Sequence, residues 1–244
     1  PLLYDGQTLY LKDDLNYRIA VLDKELNIKN YIKLRGLKVS LAKIDDFLYL
    51  ISLKPGEPFH QVEIYNTQGD FVSSFFDRRP DFLKGRNFSK QDYPVWVGLS
   101  GIVMAADSVA KEIAATFVSP GTKIEIFFYT KEGKFKNKIE TNHLIKYKFP
   151  EFMLQWPPKY PERSLSIALK SIHYMGVNKV LLDYWVWRYE HNKPVDDKHY
   201  LLIVDRKSGQ LVHQELVSSD LKVIGVKDDM LFGAEIGGDI PTVA

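Results

Sequence analysis

Two aspartates hold the positions that best fit metal chemistry, because each falls late in an apolar, strand-like run. Asp107 ends the run IVMAAD, and Asp183 follows the run VLL. Since Ca²⁺ needs several converging oxygen ligands, one interpretation of these two carboxylates is a divalent-metal site in a metal-dependent hydrolase or lyase. The alternative for both is a structural role. Other acidic residues near such runs stand in polar turns, where the side chain bonds its own backbone; they are Asp45, Asp46, Asp228 and Asp229.

Other catalytic signatures are missing from the sequence. The histidines lack the H-x-H and H-x-x-x-H spacings of zinc sites, and the chain has no cysteine for a thiolate, a disulfide or a nucleophile. The sequence also contains no G-x-S-x-G elbow, no P-loop and no dinucleotide fingerprint. We therefore predict no catalytic residue and no cofactor, apart from Ca²⁺ or another divalent ion in the metal interpretation.

Two aromatic segments predict a binding surface. Residues 147–163 place Phe149, Phe152, Trp156 and Tyr160 among four prolines. Residues 184–191 read YWVWRYEH, with Trp185 and Trp187 on one side of a strand and Tyr184 and Tyr189 elsewhere. Proline stiffens a loop before it binds, and aromatic residues beside arginine are typical interface anchors. A satellite core beneath a long loop is the alternative. The candidate ligand-binding residues are Trp156, Tyr160, Arg163, Trp187, Arg188 and Tyr189.

A second, smaller candidate is the arginine pair Arg78 and Arg79, in the predicted loop 77–93. Adjacent guanidinium groups can bind an anion or a carboxylate of a partner. The alternative is a solvated pair of charges.

Charge and hydropathy exclude two classes of partner. The chain has 33 basic and 31 acidic residues, a net charge of +2, so it lacks the concentrated basic face that nucleic acid requires. No apolar run approaches the roughly 18 residues of a membrane-spanning helix. The sequence begins with Pro1 and shows no signal peptide, but a trimmed protein would look the same. The compartment therefore stays open at this point.

The elements that must position these residues are strands, because apolar alternation and β-branched residues dominate the chain. Short polar turns recur between strand pairs, as in Asn66-Thr67-Gln68-Gly69 and Thr130-Lys131-Glu132-Gly133. Four-stranded antiparallel meanders in series are the pattern of a β-propeller. We therefore predict an all-β propeller, with about four and a half blades in residues 1–244, as a single domain that begins and ends inside a blade.

The predicted strands leave the long connections at one end of the blades, where they join the second strand to the third or one blade to the next. The third blade is expected to start with a strand at 94–99, followed by a strand at 102–107 and then by a short helix or loop within 108–117. Since loops on a rigid scaffold often carry function, we expect a working face there. The long connections are 54–60, 77–93, 108–121, 141–163 and 187–198.

Residues 9–32, LYLKDDLNYRIAVLDKELNIKNYI, resemble an NHL repeat, although Leu22 and Leu26 replace the usual aromatic residue and glycine. The whole chain resembles the divergent six-bladed propellers of NHL and TolB-like type in bacterial secreted and periplasmic proteins. The resemblance implies six blades, a periplasmic or extracellular location and usually a binding role; a minority of relatives are lactonases or lyases with a metal on the central axis. It also implies structural roles for Asn16 and Arg18. The matching residues are Asp13, Asn16, Arg18, Ile19, Val21 and Asp23.

We therefore expect a non-catalytic binding or scaffold module whose long-loop face binds a protein, a peptide or a glycan. A metal-dependent, lactonase-like hydrolase or lyase with its site at the mouth of the central channel is the alternative. A structural subunit that forms a homo-oligomer or a larger assembly is a third interpretation.

Overall fold

The protein is described here by a computed structural model, which is built almost entirely of antiparallel strands. Within its described residues, α-helix occurs only in α1 (Tyr93–Leu99), and short 3-10 turns lie at Asp81–Leu83 and Glu151–Leu154. No helix in this part of the chain is long and apolar enough to cross a membrane. The described residues are 2–13, 15–35, 40–53, 56–57, 59–83, 85, 93–147, 149–154, 161–191, 193–227, 230–235 and 242–243.

The strands form sheets in which neighbours along the chain are also neighbours in the sheet. The first sheet contains β1 (Leu2–Tyr4), β2 (Leu9–Asp13), β3 (Arg18–Leu22) and β4 (Ile28–Lys33). The second contains β5 (Leu41–Ile44), β6 (Phe47–Leu53), β7 (His60–Asn66) and β8 (Phe71–Phe75). The third contains β9 (Ile102–Asp107), β10 (Glu112–Phe117), β11 (Ile124–Thr130) and β12 (Phe135–Thr141).

The fourth sheet has the longest strands, which are β13 (Arg163–Met175), β14 (Lys179–Glu190), β15 (Lys193–Asp205) and β16 (Leu211–Val217). A three-stranded sheet follows, with β17 (Leu221–Lys227), β18 (Met230–Glu235) and β19 (Thr242–Val243). Serial four-stranded meanders of this kind are propeller blades. The predicted fold class, an all-β propeller of four-stranded antiparallel blades, is confirmed.

The chain divides into two compact units. The first comprises residues 1–78, 106–113 and 128–136. Its core is filled by the inward side chains of alternating strand positions, as the period of two requires; the members include Ile19, Ile32, Leu48, Leu50 and Tyr65. The turns of this unit use the predicted chemistry. Asp23, for example, accepts hydrogen bonds from the backbone N–H groups of Glu25 (3.1 Å) and Asn27 (2.9 Å).

The second unit comprises residues 79–105, 114–127 and 137–244. One of its cores joins the fourth and fifth sheets, where Leu181, Leu201 and Val223 are buried together. The opposite side of β14 is also buried, at Leu182 and Tyr184. The fourth sheet is therefore covered on both faces over the middle of β14, which explains the continuous apolar run in its sequence.

The predicted strand at 94–99 is wrong, because this segment is helix α1. Pro94 stands in the first turn of the helix, where a residue without an N–H and with φ near −65° is well accommodated. The run PVWVGL offers no clear period, so its apolar residues fit either element. The third sheet consequently starts at β9, one element later than the sequence predicted.

The prediction of a short helix or loop within 108–117 is also wrong, because a tight turn and β10 occupy this segment. The Asp107 carboxylate accepts the N–H groups of Val109 and Ala110 at 2.9 Å each, which fixes the turn. Lys111 then takes a φ of 53°, and all six residues of β10 are buried. A strand that is buried on both faces has no polar alternation, so its sequence is easily mistaken for a helix.

The predicted loop at 187–198 is wrong as well, because β14 continues to Glu190 and β15 begins at Lys193. Proline and adjacent aspartates made this segment resemble a loop. Three of the other long connections remain, at 54–59, 76–101 and 142–162, whereas β10 replaces most of the predicted connection 108–121 and leaves residues 118–123 between β10 and β11. Within each sheet they lie at the end that joins the second strand to the third or one sheet to the next, as predicted.

Candidate functional site

The candidate site lies on an extension of the fourth sheet. β13, β14 and β15 are 13, 12 and 13 residues long, whereas β16 pairs with β15 only from His199 to Val204. The remaining parts of β13, β14 and β15 continue as a three-stranded ribbon, formed by residues 163–167, 186–190 and 193–198, with Trp185 at its base. The ribbon edge at 193–198 carries Pro194 and several charges, which are the usual protection against unwanted strand pairing.

Two stacked tryptophans dominate one face of this ribbon. Trp185 and Trp187 project from alternate positions of β14, and their rings stack with centroids 5.7 Å apart and an interplanar angle of 23°. Lys170, the extra residue at a register shift between β13 and β14, places its ammonium 5.8 Å from the Trp185 centroid and 5.0 Å from that of Trp187. The bulge therefore aims a cation at the two indoles, where their electron-rich faces attract it.

Tyr189 extends this face. From Tyr184 to Glu190, β14 pairs with β13 without a register shift, so Tyr189 lies on the same side as Trp187. The prediction that Tyr189 lies elsewhere is wrong. The side chains of Trp185, Trp187 and Tyr189 are all half-buried. These three residues and Lys170 are called the tryptophan surface below. The predicted grouping of the two tryptophans is confirmed by their stacking.

A buried ionic pair, Asp183 and His199, contacts Trp185 of the tryptophan surface. Asp183 Oδ1 accepts a hydrogen bond from Trp185 Nε1 at 2.6 Å and lies 2.8 Å from His199 Nε2. The His199–Asp183 contact is an ion pair by distance, but its angle is too bent for a regular hydrogen bond. The His199 ring also stacks on Trp185, with centroids 4.4 Å apart. Together these contacts fix the Trp185 ring in one orientation.

The protonation of His199 follows from its two neighbours. Its Nδ1 lies 3.0 Å from the Ser218 carbonyl, which can only accept, so Nδ1 carries a hydrogen. Its Nε2 faces the carboxylate of Asp183, which favours a second hydrogen there. Burial alone lowers the pKa of His199, but the interactions with Asp183 and Ser218 outweigh it and raise the pKa above its ordinary value. His199 is therefore suited to carry a positive charge beneath Trp185.

A second histidine on the same face has the opposite tendency. His173 Nε2 lies 2.9 Å from the Ser171 hydroxyl, and burial lowers the pKa of His173, although the Asp183 charge partly opposes this. A nucleophilic relay needs one imidazole between a hydroxyl and a carboxylate. Here Ser171 contacts His173, whereas Asp183 pairs with His199, so these residues do not form such a relay.

The metal interpretation gains no support from the two predicted ligands. Asp107 caps the turn after β9, and Asp183 holds Trp185 and His199. In the described part of the chain, no group of three or more histidine, aspartate or glutamate side chains is placed to hold a metal ion. Each aspartate makes a structural contact of the kind that the alternative describes, and the metal site stays a prediction.

The remaining predicted residues are dispersed. Arg163 is exposed and lies 3.4 Å from Glu190, and Arg188, on the other face of the ribbon, lies 4.0 Å from Asp196. Both pairs are exposed and contribute little to stability. Arg163 is opposite Glu190 and therefore lies on the same face as Arg188, so neither arginine belongs to the tryptophan surface. Trp156 and Tyr160 lie outside the described residues.

Of the arginine pair in the predicted loop 77–93, Arg78 packs against aromatic residues. Arg78 donates from Nε to the hydroxyl of Tyr129 at 3.1 Å, and its guanidinium lies 4.6 Å from the Phe135 ring centroid. Arg79, which belongs to the second unit, is half-buried. The geometry of Arg78 fits packing on aromatic rings better than capture of an anion.

The aromatic residues at the start of segment 147–163 form a satellite core, which was the alternative interpretation. Tyr147 and Phe149 are buried, and Phe149 stacks on Phe82 with centroids 3.7 Å apart. Beside them, His143 bonds the hydroxyl of Tyr184 at 3.1 Å and the carbonyl of Gly121 at 2.9 Å. Since burial lowers the pKa of His143, the neutral ring donates from Nε2 to the carbonyl and accepts the tyrosine hydroxyl at Nδ1.

A polar cavity of about 540 Å³ lies elsewhere in the second unit. It is lined by the segment from Glu140 to Leu144 and by residues of the turn and strand from Ser208 to Gln214. No sequence pattern indicates this cavity, because the two lining segments are distant along the chain. Its size suits a small ligand, but it lacks the apolar lining that ligand pockets usually show.

Comparison with known proteins places the chain by fold alone. No protein-family model and no curated protein sequence matches it. It is similar to the crystal structure of a DUF4221 family member from Bacteroides vulgatus, with a TM-score of 0.60 and 9% identity over 95% of this chain and 70% of that chain. It also aligns with BamB from Moraxella catarrhalis (TM-score 0.42, 14% identity, 96% of this chain and 55% of that chain). A streptogramin B lyase aligns with a TM-score of 0.48 and 9% identity, over 99% of this chain and 79% of that chain.

Sequence reasoning missed the supporting residues of the tryptophan surface. Asp183 was considered as a metal ligand, although the period of two in β14 already placed it on the same side as Trp185 and Trp187. Lys170 and His199 could not be found in this way. Their positions depend on a bulge in β13 and on the pairing of β15, which the sequence does not specify.

Proposed function

We propose that this chain is a non-catalytic binding module that contacts a protein, a peptide or a glycan with its tryptophan surface. The observation that carries the proposal is the half-buried Trp185–Trp187 stack with the Lys170 ammonium against it. The stack lies at the end of the fourth sheet that also carries the long connection 142–162. This is the end where the long loops, and hence a binding face, were expected.

The supporting pair gives this surface the properties of a binding anchor. Asp183 and His199 fix Trp185 before any partner arrives, so little side-chain entropy is lost on binding. Tryptophan is enriched among the residues that dominate binding energy.

The test compares Trp187→Ala with wild type on arrays of immobilised peptides and of immobilised oligosaccharides. We expect the peptides or oligosaccharides that wild type binds to bind Trp187→Ala at least about 30-fold more weakly, which is the loss typical of a central aromatic anchor. Tyr4→Ala is the matched control, because it removes an exposed aromatic residue from a different sheet and should leave binding unchanged. Equal losses in both variants, or full retention by Trp187→Ala, would refute the proposal.

We further propose that the complete protein is a six-bladed propeller of NHL or TolB-like type, in the periplasm or outside the cell. Support comes from the first sheet, where Asp13 accepts hydrogen bonds from Asn16 at 2.8 Å and Arg18 at 2.9 Å. The Arg18 guanidinium also lies 3.9 Å from the Tyr31 ring centroid. These are structural roles of the kind that the resemblance implies for Asn16 and Arg18. Fractionation of the native cells tests the location, and recovery of the protein with cytosolic markers would contradict it.

A further inference from the structure

We propose that β16 is a self-complementary sheet edge through which two copies of this chain pair, strand to strand, as an antiparallel dimer. β16 is the last strand of the fourth sheet, and among the described residues it pairs only with β15. Its first six residues are all exposed. An open edge presents N–H and C=O groups that a second strand can pair with.

The edge of β16 lacks the usual protection against such pairing. Proteins commonly protect an exposed edge strand with lysine, proline or a very short length. The outer strands of the first and third sheets carry lysines, at Lys29 and Lys33 in β4 and at Lys136 and Lys138 in β12. β8, the outer strand of the second sheet, has only five residues. β16 reads LVHQELV, with neither lysine, arginine nor proline in its seven residues.

The sequence of β16 complements itself when it is reversed about Gln214. In an antiparallel pair centred on Gln214, Val212 of one copy lies opposite Leu216 of the other, and His213 lies opposite Glu215. The first pair is apolar on both sides, and the second joins a base to an acid. Cross-strand pairs of both kinds stabilise sheets, whereas like charges in the same place would oppose pairing.

His213 and Glu215 are already neighbours within one chain, where His213 Nε2 and Glu215 Oε2 lie 3.8 Å apart. Residues two apart share a face of the sheet, and residues directly opposite across strands also share a face. The dimer would therefore gather two histidines and two glutamates into one cluster of alternating charge. Such a cluster selects the antiparallel register centred on Gln214 over shifted ones.

Val212 and Leu216 favour the dimer because pairing removes apolar surface from water. Val212 is 55% exposed and Leu216 is 60% exposed, and in the dimer Val212 of each copy would cover Leu216 of the other. Because the arrangement is two-fold, the same patch is used on both sides, so the assembly closes at two copies and cannot grow into a fibre. A seven-residue strand is roughly 23 Å long, which makes the contact between the two copies short. We therefore expect a weak dimer that forms at micromolar or higher protein concentrations.

The first experiment uses the absence of cysteine from the chain. Gln214→Cys places two thiols opposite each other on the dimer axis, within the Cα distance that a disulfide allows. Leu216→Cys is the control on the same strand, because its two thiols would be roughly 13 Å apart in this register. On mild oxidation we expect a disulfide-linked dimer from Gln214→Cys and at least about tenfold less from Leu216→Cys. Equal cross-linking, or none from Gln214→Cys, overturns the proposal.

The second experiment tests the charge pairing by sedimentation across a range of protein concentrations. His213→Glu sets acid against acid at both ends of the pair and should abolish association. The double variant His213→Glu/Glu215→Lys restores opposite charges and should recover it. Association that survives His213→Glu, or that the double variant does not recover, contradicts this register. An edge that instead serves a foreign strand would leave the wild-type chain monomeric and Gln214→Cys unlinked, which also refutes the dimer.

Discussion

Replacing Asp183 by asparagine should weaken the protein in a way that depends on pH. The asparagine keeps the shape and still offers an oxygen to Trp185 Nε1, but it removes the charge that faces His199. Hydrogen bonds and contacts to a buried charged group are worth roughly 1.5–3 kcal/mol. We expect a loss of about 2–3 kcal/mol in the free energy of unfolding near pH 5.5, where His199 is protonated in the wild-type fold.

The loss should shrink as the pH rises. Folding raises the pKa of His199 above its ordinary value of 6.5, so the folded protein holds this proton more tightly than the unfolded chain. The resulting stabilisation is complete below pH 6.5 and is lost as the pH rises through the folded pKa. Above that pKa the neutral Nε2 of His199 presents a lone pair to Asp183 Oδ1, the atom that also accepts from Trp185. The uncharged amide oxygen of asparagine keeps the Trp185 bond and makes this unfavourable contact weaker than the carboxylate does. The deficit of Asp183→Asn should therefore approach zero near pH 9.

In Asp183→Asn the contribution of His199 and His173 to stability should depend on pH in the opposite direction. Without the carboxylate, burial is the main influence on His199, and it lowers the pKa. His173 behaves in the same way, because it loses the opposing charge of Asp183. Groups with lowered folded pKa values destabilise the protein as the pH falls below 6.5. Asp183→Asn should thus lose stability on acidification, relative to wild type.

The assay is urea unfolding followed by far-ultraviolet circular dichroism from about pH 5 to about pH 9. His199→Gln is the reference background, in which Asp183→Asn should show much less dependence on pH, as a double-mutant cycle measures directly. If the free energy of unfolding of wild type exceeds that of Asp183→Asn by the same amount across this range, a charged His199–Asp183 pair is refuted. A difference that grows as the pH rises would refute it as well.

Two further predictions concern positions where packing or hydrogen bonding is fixed by the structure. Gly209→Ala should cost about 2–4 kcal/mol of unfolding free energy, because Gly209 has a φ of 73° and an added Cβ would lie 2.4 Å from the Glu140 carbonyl oxygen. Gly6→Ala, with a φ of 97° but open space around it, should cost only about 1 kcal/mol, so equal costs by urea unfolding would contradict the steric argument. Tyr65→Phe removes the hydroxyl that donates to buried Glu63 at 2.7 Å and should cost about 1.5–3 kcal/mol; a thermal or urea midpoint equal to wild type would show that this bond is not formed.

The fold class was predictable because turn chemistry and strand alternation are local properties. Asp23 and Asp205 accept the backbone N–H groups that follow them, as short polar turns require. Where the local signal was ambiguous, the predictions were wrong. The segment 94–99 is helical although its sequence has no clear period, and β10 is a strand buried on both faces.

The candidate site was predictable only in part. The period of two placed Trp185 and Trp187 on one side of a strand, and the structure confirms their stacking. The predicted loop at 187–198 is instead the hairpin that presents them. Proline and charged residues in this segment were interpreted as loop signals, but on a ribbon edge they are protective features of a strand.

The sequence by itself therefore determined most of the strands, most of the short turns and the face on which the two tryptophans lie, since neighbouring residues encode each of these. Only the tertiary structure decided what surrounds them. Lys170 reaches the indoles through a bulge, and His199 reaches Asp183 because β15 pairs with β14 in one particular register. Register and bulges depend on contacts between residues far apart in the chain, and this is why Asp183 changed from a candidate metal ligand into the buried partner that orients Trp185.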